Sequence, residues 1–403
     1  MGEAMAEARG RPLLSGLPPP APDRLMILMA QFRDDPRPGK LDLGIGVYRD
    51  AEGRTPVFRA VKRAEAAILA AEETRAYVGF TGDPAVTETM AEAVLGPALA
   101  DEAAGCPTTG GTGALFALGR LAASARVGAR IWLPDPTWIN HASLLTAAGL
   151  TCETYPWLDA AGRELDFEAA AAALAQVPAG DLVMLHACCH NPSGADPDAE
   201  GWARIGALAA ERGWTPFFDV AYPGLGRGWE VDLAGLRAVA AAAPETLAAV
   251  SGSKSFGMYR DRAGLALVIS RAAEGREAAL QALAVINRNS VSFPPWRPGE
   301  VMRRILTDPD LRADWEAELA EMRARITGAR AALAGALARR GLSGWGFLDA
   351  QQGMFSLLGL SDAQVAELRE RHAIYVMARG RINVAGLSDA DAERFAAALA
   401  EVL

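Results

Sequence analysis

Three features of the 403-residue chain predict an α/β protein built on a mostly parallel mixed sheet, with helices on both faces and a smaller α/β domain at the C-terminal end. From about residue 105 to 270, short apolar runs alternate with helical stretches, as in a layered parallel sheet. The apolar runs end in polar clusters, as expected where ligands gather beyond the carboxyl ends of strands. Past Pro309 the pattern turns helical, with Trp315, Leu319, Met322 and Ile326 spaced by four, three and four.

Met1 to Pro22 carries Arg9, Arg11 and Pro18-Pro19-Pro20, and residues 1–20 read as a loose arm. Residues 21–54 are expected to join the small domain or cross between domains, with Lys40 to Tyr48 as the crossing segment. Residues 55–315 form the large domain. Its strands are predicted at Ile131-Trp132-Leu133, Leu182 to His186, Pro216-Phe217-Phe218 and Leu247 to Val250. The run Leu265 to Ile269 is expected to return as one antiparallel strand, which brings Arg262 at its start back to the same sheet edge. The tracts Ala169 to Ala175 and Ala238 to Ala243 read as helix, given alanine's propensity. Residues 316–403 complete the small domain with a helix, a short strand near Ile374-Tyr375-Val376, the segment Gly380 to Gly386 and a final helix.

A chain that is 51% hydrophobic and 22% charged has ample material for a core. Its net charge of −9 argues against a broad nucleic-acid or anionic-membrane surface, so an anionic ligand must be held by a few local arginines. The four cysteines, Cys106, Cys152, Cys188 and Cys189, fit neither a disulfide framework nor a zinc pattern, and no metal site is expected. With no secretory signal and no apolar stretch long enough to span a bilayer, the expected location is the cytoplasm.

The richest chemistry lies in residues 251–264. Lys254 sits among Ser251 and Ser253, and Arg262 follows eight positions later. An amine beside hydroxyls and a guanidinium suits an aldehyde that carries a phosphate: the amine condenses with the aldehyde, and the other groups bind the phosphate oxygens. A strand end followed by a solvated basic turn would have the same composition. Thr108 to Gly113 is a glycine-rich turn that opens a helix, exposing backbone N–H groups to an anion; such turns also simply reverse the chain. Asp219 ends an apolar run, where a buried carboxylate needs a partner such as a protonated ring nitrogen, or serves as a helix cap. Tyr222 and Asn191 could both reach an oxygen on the same ring, and Trp138 could lie against a planar ligand or pack in the core. His141 and His186 fall inside these clusters and could orient Asp219, whereas His190 suits a core position equally well. Arg381, between Gly380 and Ile382, could clamp a carboxylate with two parallel bonds. Arg288 lies in a stretch of turn formers and suits either a surface charge or a second anion site.

Together these landmarks resemble the class I pyridoxal-phosphate aminotransferases, the aspartate and aromatic amino acid branch, over roughly residues 20 to 403. The resemblance rests on Leu43-Gly44-Ile45-Gly46-Val47-Tyr48, Gly110-Gly111-Thr112-Gly113, Pro136-Thr137-Trp138, His190-Asn191-Pro192-Ser193-Gly194, Asp219 with Tyr222, the Lys254 segment and Gly380-Arg381. It implies the type I fold of pyridoxal-phosphate enzymes and pyridoxal 5'-phosphate as cofactor. Lys254 resembles the lysine that carries the cofactor and shuttles the proton. Asp219 resembles the partner of the ring nitrogen, Tyr222 and Asn191 the partners of the ring oxygen, and Trp138 the stacking residue. Gly111, Thr112, Ser251, Ser253 and Arg262 resemble the phosphate cup, to which Tyr77 of a neighbouring subunit would add. Gly46, Trp138 and Asn191 are implied beside the substrate, Arg381 on its α-carboxylate, and Arg288 of the neighbouring subunit on a distal carboxylate. A homodimer with shared sites follows, working by ping-pong transfer between an amino acid and 2-oxoglutarate. Phe293 stands where strict aspartate enzymes usually carry Asn, and Cys188-Cys189 also favours the bacterial aromatic enzymes over a strict aspartate enzyme. Ser193 and Ser255 depart mildly from the usual Thr and Asn. A non-catalytic regulatory protein and a lyase using the same aldehyde are the rival readings.

Overall fold

The structure is a computed structural model that describes residues 24–50 and 52–403, with Leu14 and Leu17 before them; the rest of the expected N-terminal arm lies outside the described residues. The first strand, β1 (Leu41–Asp42), is followed by β2 (Ala103–Thr109), β3 (Arg130–Asp135), β4 (Thr151–Pro156), β5 (Leu182–His186), β6 (Thr215–Val220), β7 (Glu245–Ser251) and β8 (Ala263–Ser270). Three short strands complete the set: β9 (Phe355–Leu357), β10 (Ile374–Tyr375) and β11 (Arg381–Asn383).

Seven strands form the main sheet in the order β2-β8-β7-β6-β5-β3-β4. From β4 through β7 every pairing is parallel, whereas β8 runs antiparallel to both β7 and β2. The expected return strand is therefore present, and its eight residues are all buried, as befits a strand covered on both faces. β2 and β4 were not foreseen. Both are edge strands, where Pro107 is tolerated in β2 and where β4 leaves most of its residues exposed.

β4 lies outside β3, while β5, β6 and β7 build away on the other side. The carboxyl ends of β3 and β5 thus flank the point where strand order reverses, a natural crevice for a ligand. The segments after β3, β5, β6 and β7 carry Trp138, Asn191, Tyr222 and Lys254 to that edge.

The N-terminal segment joins the far end of the chain. β1 pairs in parallel with β10, and Asn383 on β11 donates to the carbonyls of Ile45 and Val47 at 2.7 Å each. The helix Pro309–Arg339 buries Trp315, Leu319, Met322 and Ile326 on one side, as their spacing predicts. Each such side chain contributes roughly 1.5–3 kcal/mol by leaving water. Trp315 also donates to the carbonyl of Ser255 at 2.7 Å, supporting the lysine turn from behind. No helix among the described residues is long and apolar enough to cross a membrane.

Candidate active site

Two adjoining cavities sit at the reversal point. The inner one, about 230 Å³, is lined by Gly46, Gly111, Thr112, Trp138, Asn191, Asp219, Tyr222, Ser251, Ser253, Lys254, Tyr259 and Arg262, among others. The outer one, about 450 Å³, shares Gly46, Trp138, Asn191, Tyr222 and Lys254 and adds Phe355 and Arg381.

The closed end of the inner cavity is built by glycines. Gly110 has φ +74°, and a Cβ there would stand 2.5 Å from Nη2 of Arg262; a Cβ on Gly111 would stand 2.8 Å from that of Ser251. Only glycine lets the first turn of the helix Gly110–Ala125 approach both side chains. The result is a cradle of helix N-terminal amides, two serine hydroxyls and a guanidinium, a donor set suited to a phosphate. Nη1 of Arg262 donates to Ser253 Oγ at 3.4 Å and to the Tyr259 carbonyl at 3.1 Å, which holds it at the rim.

Lys254 extends from the turn after β7, its Nζ 4.8 Å from the centre of the Tyr222 ring. The residue is half-buried and lines both cavities. Burial lowers its pKa; nearby Asp219 works against that shift and Arg262 adds to it. Asn191 Nδ2 donates to Tyr222 Oη at 3.3 Å, which leaves the tyrosine's own hydrogen free to point into the cavity. Burial also raises the Tyr222 phenol, keeping it neutral.

Asp219 lies within β6 and is therefore not a helix cap. Burial pushes its carboxyl up, but His141, His186 and Lys254 outweigh burial and leave it below the usual range, ionised. His141 Nε2 stands 3.3 Å from Asp219 Oδ2, a close electrostatic contact. A backbone amide sets the direction of the chain behind it. Asn191 N donates to His186 Nδ1 at 3.3 Å, so the His186 proton is on Nε2, which faces Thr137 Oγ1 at 3.1 Å. Thr137 must then give its own hydrogen to His141 Nδ1, 2.8 Å away, placing the His141 proton on Nε2 toward Asp219. Each donor faces an acceptor from Asn191 to the carboxylate.

Arg381 approaches the outer cavity with its guanidinium 4.7 Å from the centre of the Phe355 ring, while Nη2 donates to the Gly44 carbonyl. Burial lowers its pKa, with Tyr222 and Asp42 opposing. Gly46 faces the same ring: a Cβ there would stand 3.0 Å from Phe355 Cζ.

All the expected residues except four line one or both cavities. His141 and His186 lie behind Asp219, as described. Tyr77 and Arg288 are elsewhere: Tyr77 stacks on Phe293 at 4.4 Å, and Arg288 lies over Phe80 at 5.2 Å and bonds Ser292 Oγ at 2.9 Å. His190 is buried and stacked on Trp157, the core role left open for it. Sequence reasoning missed Thr137, Tyr259 and Phe355. Thr137 and Tyr259 sat inside the motifs singled out, but Phe355, in a three-residue strand, gave no signal.

Comparison with known proteins agrees with this geometry. The sequence model of the family described as "Aminotransferase class I and II" matches residues 38–399. The aromatic-amino-acid aminotransferase of Paracoccus denitrificans is 45% identical over 97% of this chain and 100% of its own length. The aspartate aminotransferase of Salmonella typhi is 41% identical over 91% and 94%. A crystal structure of the aromatic-amino-acid aminotransferase from Burkholderia pseudomallei, covalently bound to pyridoxal phosphate, superposes with a TM-score of 0.94 at 36% identity, covering 98% of this chain and 100% of that one. A family match over residues 38–399 and relatives 36–45% identical along almost the whole length leave one assignment: this chain belongs to the class I and II aminotransferases.

Proposed function

We propose that the chain binds pyridoxal 5'-phosphate in the inner cavity and transfers amino groups between L-amino acids, aromatic ones above all, and 2-oxo acids such as 2-oxoglutarate. One observation carries the reading. The Lys254 amine, the Asp219 carboxylate and the glycine cradle line a single cavity that adjoins the one holding Arg381. The names of the Paracoccus and Burkholderia relatives support the aromatic class.

When bound, the cofactor supplies an electron-withdrawing ring that accepts the electron pair left at the substrate Cα. The protein's residues do the rest. The helix amides of Gly111 and Thr112, the hydroxyls of Ser251 and Ser253, and Arg262 hold the phosphate. Asp219, kept ionised and faced by His141, would hold a proton on the ring nitrogen. Tyr222 and Asn191 would donate to the ring oxygen, and Trp138 would pack against the ring face. Lys254 would anchor the aldehyde, and its Nζ would serve as the base for the Cα proton, a lowered pKa leaving more of it unprotonated near neutral pH. Arg381 grips the α-carboxylate, its plane fixed by Phe355 and the Gly44 carbonyl.

The Lys254→Ala protein, reconstituted with the cofactor, should lose amino transfer from phenylalanine to 2-oxoglutarate. Wild-type turnover by that variant would sink the reading. A strict aspartate enzyme is the second reading, favoured by the Salmonella relative. Comparing kcat/KM for aspartate, phenylalanine and tyrosine separates the two, and negligible aromatic activity would overturn the substrate choice.

A further inference from the structure

Two guanidiniums in the outer cavity have no part in the chemistry above. Arg24, at the start of the helix Arg24–Asp34, and Arg379, between β10 and β11, both line that cavity and not the inner one. Both are exposed, and among the described residues neither guanidinium makes a hydrogen bond or an ion pair. Other exposed arginines, such as Arg33, Arg54, Arg204 and Arg371, are matched to carboxylates. Arg379 also occupies left-handed backbone (φ 57°, ψ 16°), uncommon for a residue with a long side chain. Its Nη2 would stand 2.8 Å from a Cβ on Gly162, so the absent side chain leaves the space it fills.

The charge around the two cavities is lopsided. Five cationic side chains line them, Arg24, Lys254, Arg262, Arg379 and Arg381, against one carboxylate, Asp219. The chain as a whole carries −9. Charges of one sign in a recess with low-dielectric walls concentrate their field at its mouth and attract counter-ions there. Lys254, Arg262 and Arg381 each have a group to hold in the proposed function; Arg24 and Arg379 are left over, on the outer side.

We infer that Arg24 and Arg379 form a cationic mouth that captures dicarboxylate substrates and raises the preference for acidic 2-oxo acids over aromatic partners. The inference rests on the transaminase reading. Phenylalanine is a zwitterion with no net charge, whereas 2-oxoglutarate carries two negative charges, so a field at the mouth acts chiefly on the second. The effect must weaken with salt, since the screening length falls from about 10 Å at 0.1 M to about 3 Å at 1 M.

The test compares wild-type holoenzyme with an R24Q/R379Q variant in two measurements. One is kcat/KM for 2-oxoglutarate and for phenylalanine as ionic strength rises. The other is calorimetric titration with glutarate, a dicarboxylate with no keto group, which needs no turnover. At low salt the variant should lose about fivefold in kcat/KM for 2-oxoglutarate, through KM rather than kcat, and about fivefold in glutarate affinity. Both losses should shrink as salt is added, while phenylalanine changes by less than about twofold. Equal losses for both substrates, or losses that salt does not reduce, would overturn the inference. If wild-type protein transferred no amino group, the transaminase reading would fail on its own. The glutarate titration would still decide this one, because unchanged affinity refutes it.

Discussion

His186 and His190 pack against each other at 4.4 Å, and Trp157 covers His190 at 5.0 Å, so neither imidazole can hydrate a charge. Burial is the chief cause that pushes His186 down to about 3, with His141 adding to the shift and Asp219 opposing it; burial and both other imidazoles push His190 down too. An unfolded chain takes up these protons near pH 6.5, but the folded one does not until about pH 3 at His186. Stability therefore falls as pH drops through that window, by about 1.4 kcal/mol per pH unit for each histidine. Asp196 acts with the opposite sign. Burial raises it to about 6 against the amides of His190 and Cys189, so the folded form keeps a proton that the unfolded form releases above about pH 3.8. Asp219, held below the usual range, costs stability only below about pH 4. Asp232, which burial also raises, acts with Asp196, so the net slope between pH 6 and 4 stays below what the two histidines contribute by themselves. In urea denaturation across that range, His186→Asn should lower the slope of stability against pH by about 1.4 kcal/mol per pH unit. A His186→Asn profile that keeps the wild-type slope would contradict the account.

Between elements, one carboxylate does what local capping does not. The helix Arg59–Ala71 has Phe58 at its N-cap, which offers no side-chain acceptor. Glu318, from the first third of the helix Pro309–Arg339, accepts from the amides of Arg59 at 2.7 Å and Ala60 at 3.1 Å instead. It satisfies two otherwise unpaired donors and places a negative charge at the positive end of the helix dipole. Glu318→Ala should cost about 2–3 kcal/mol in denaturant unfolding, because one buried and one part-buried amide lose their partner. Asp308→Ala, which removes an ordinary local cap from Asp310 and Leu311, should cost about 1 kcal/mol. Equal costs would show that the cross-helix tie adds nothing. The long helix itself was legible from Trp315, Leu319, Met322 and Ile326, because periodicity reports which side is buried. Its hold on another helix was not, because no spacing within one segment names a partner in a distant one. The same distinction runs through the sheet and the site. β8 was readable from its apolar run and from Arg262, whereas β2 and β4 lack the fully buried pattern of inner strands. Lys254, Asp219 and Asn191 announced themselves as polar groups at strand ends. Thr137, Tyr259 and Phe355 acquire their roles only from what folding sets beside them.

At the scale of the whole molecule, the surface around Tyr77 looks unfinished. Tyr77 is 83% exposed, yet it stacks on Phe293, which in turn stacks on Phe80 at 4.9 Å, beneath the Arg288 guanidinium. An exposed aromatic stack topped by a cation is costly to leave in water and typical of a surface that another protein covers. Neither Tyr77 nor Arg288 lines the cavities of its own chain. We propose that a second copy covers this face, so that each chain's Arg288 reaches its partner's site and grips a distal carboxylate there. Two-fold symmetry then makes the exchange reciprocal, and two defective chains can repair each other. Lys254→Ala protein keeps a sound Arg288 to lend, and Arg288→Ala protein keeps a sound Lys254. Each alone should fail to use 2-oxoglutarate efficiently as acceptor. Unfolded together in equal amounts and refolded, half of the dimers should be mixed. Each mixed dimer has one site with both residues intact and one with neither, so activity should return to about a quarter of wild type. Activity no higher than the mean of the two variants refolded separately would mean that Arg288 serves its own chain or no site at all.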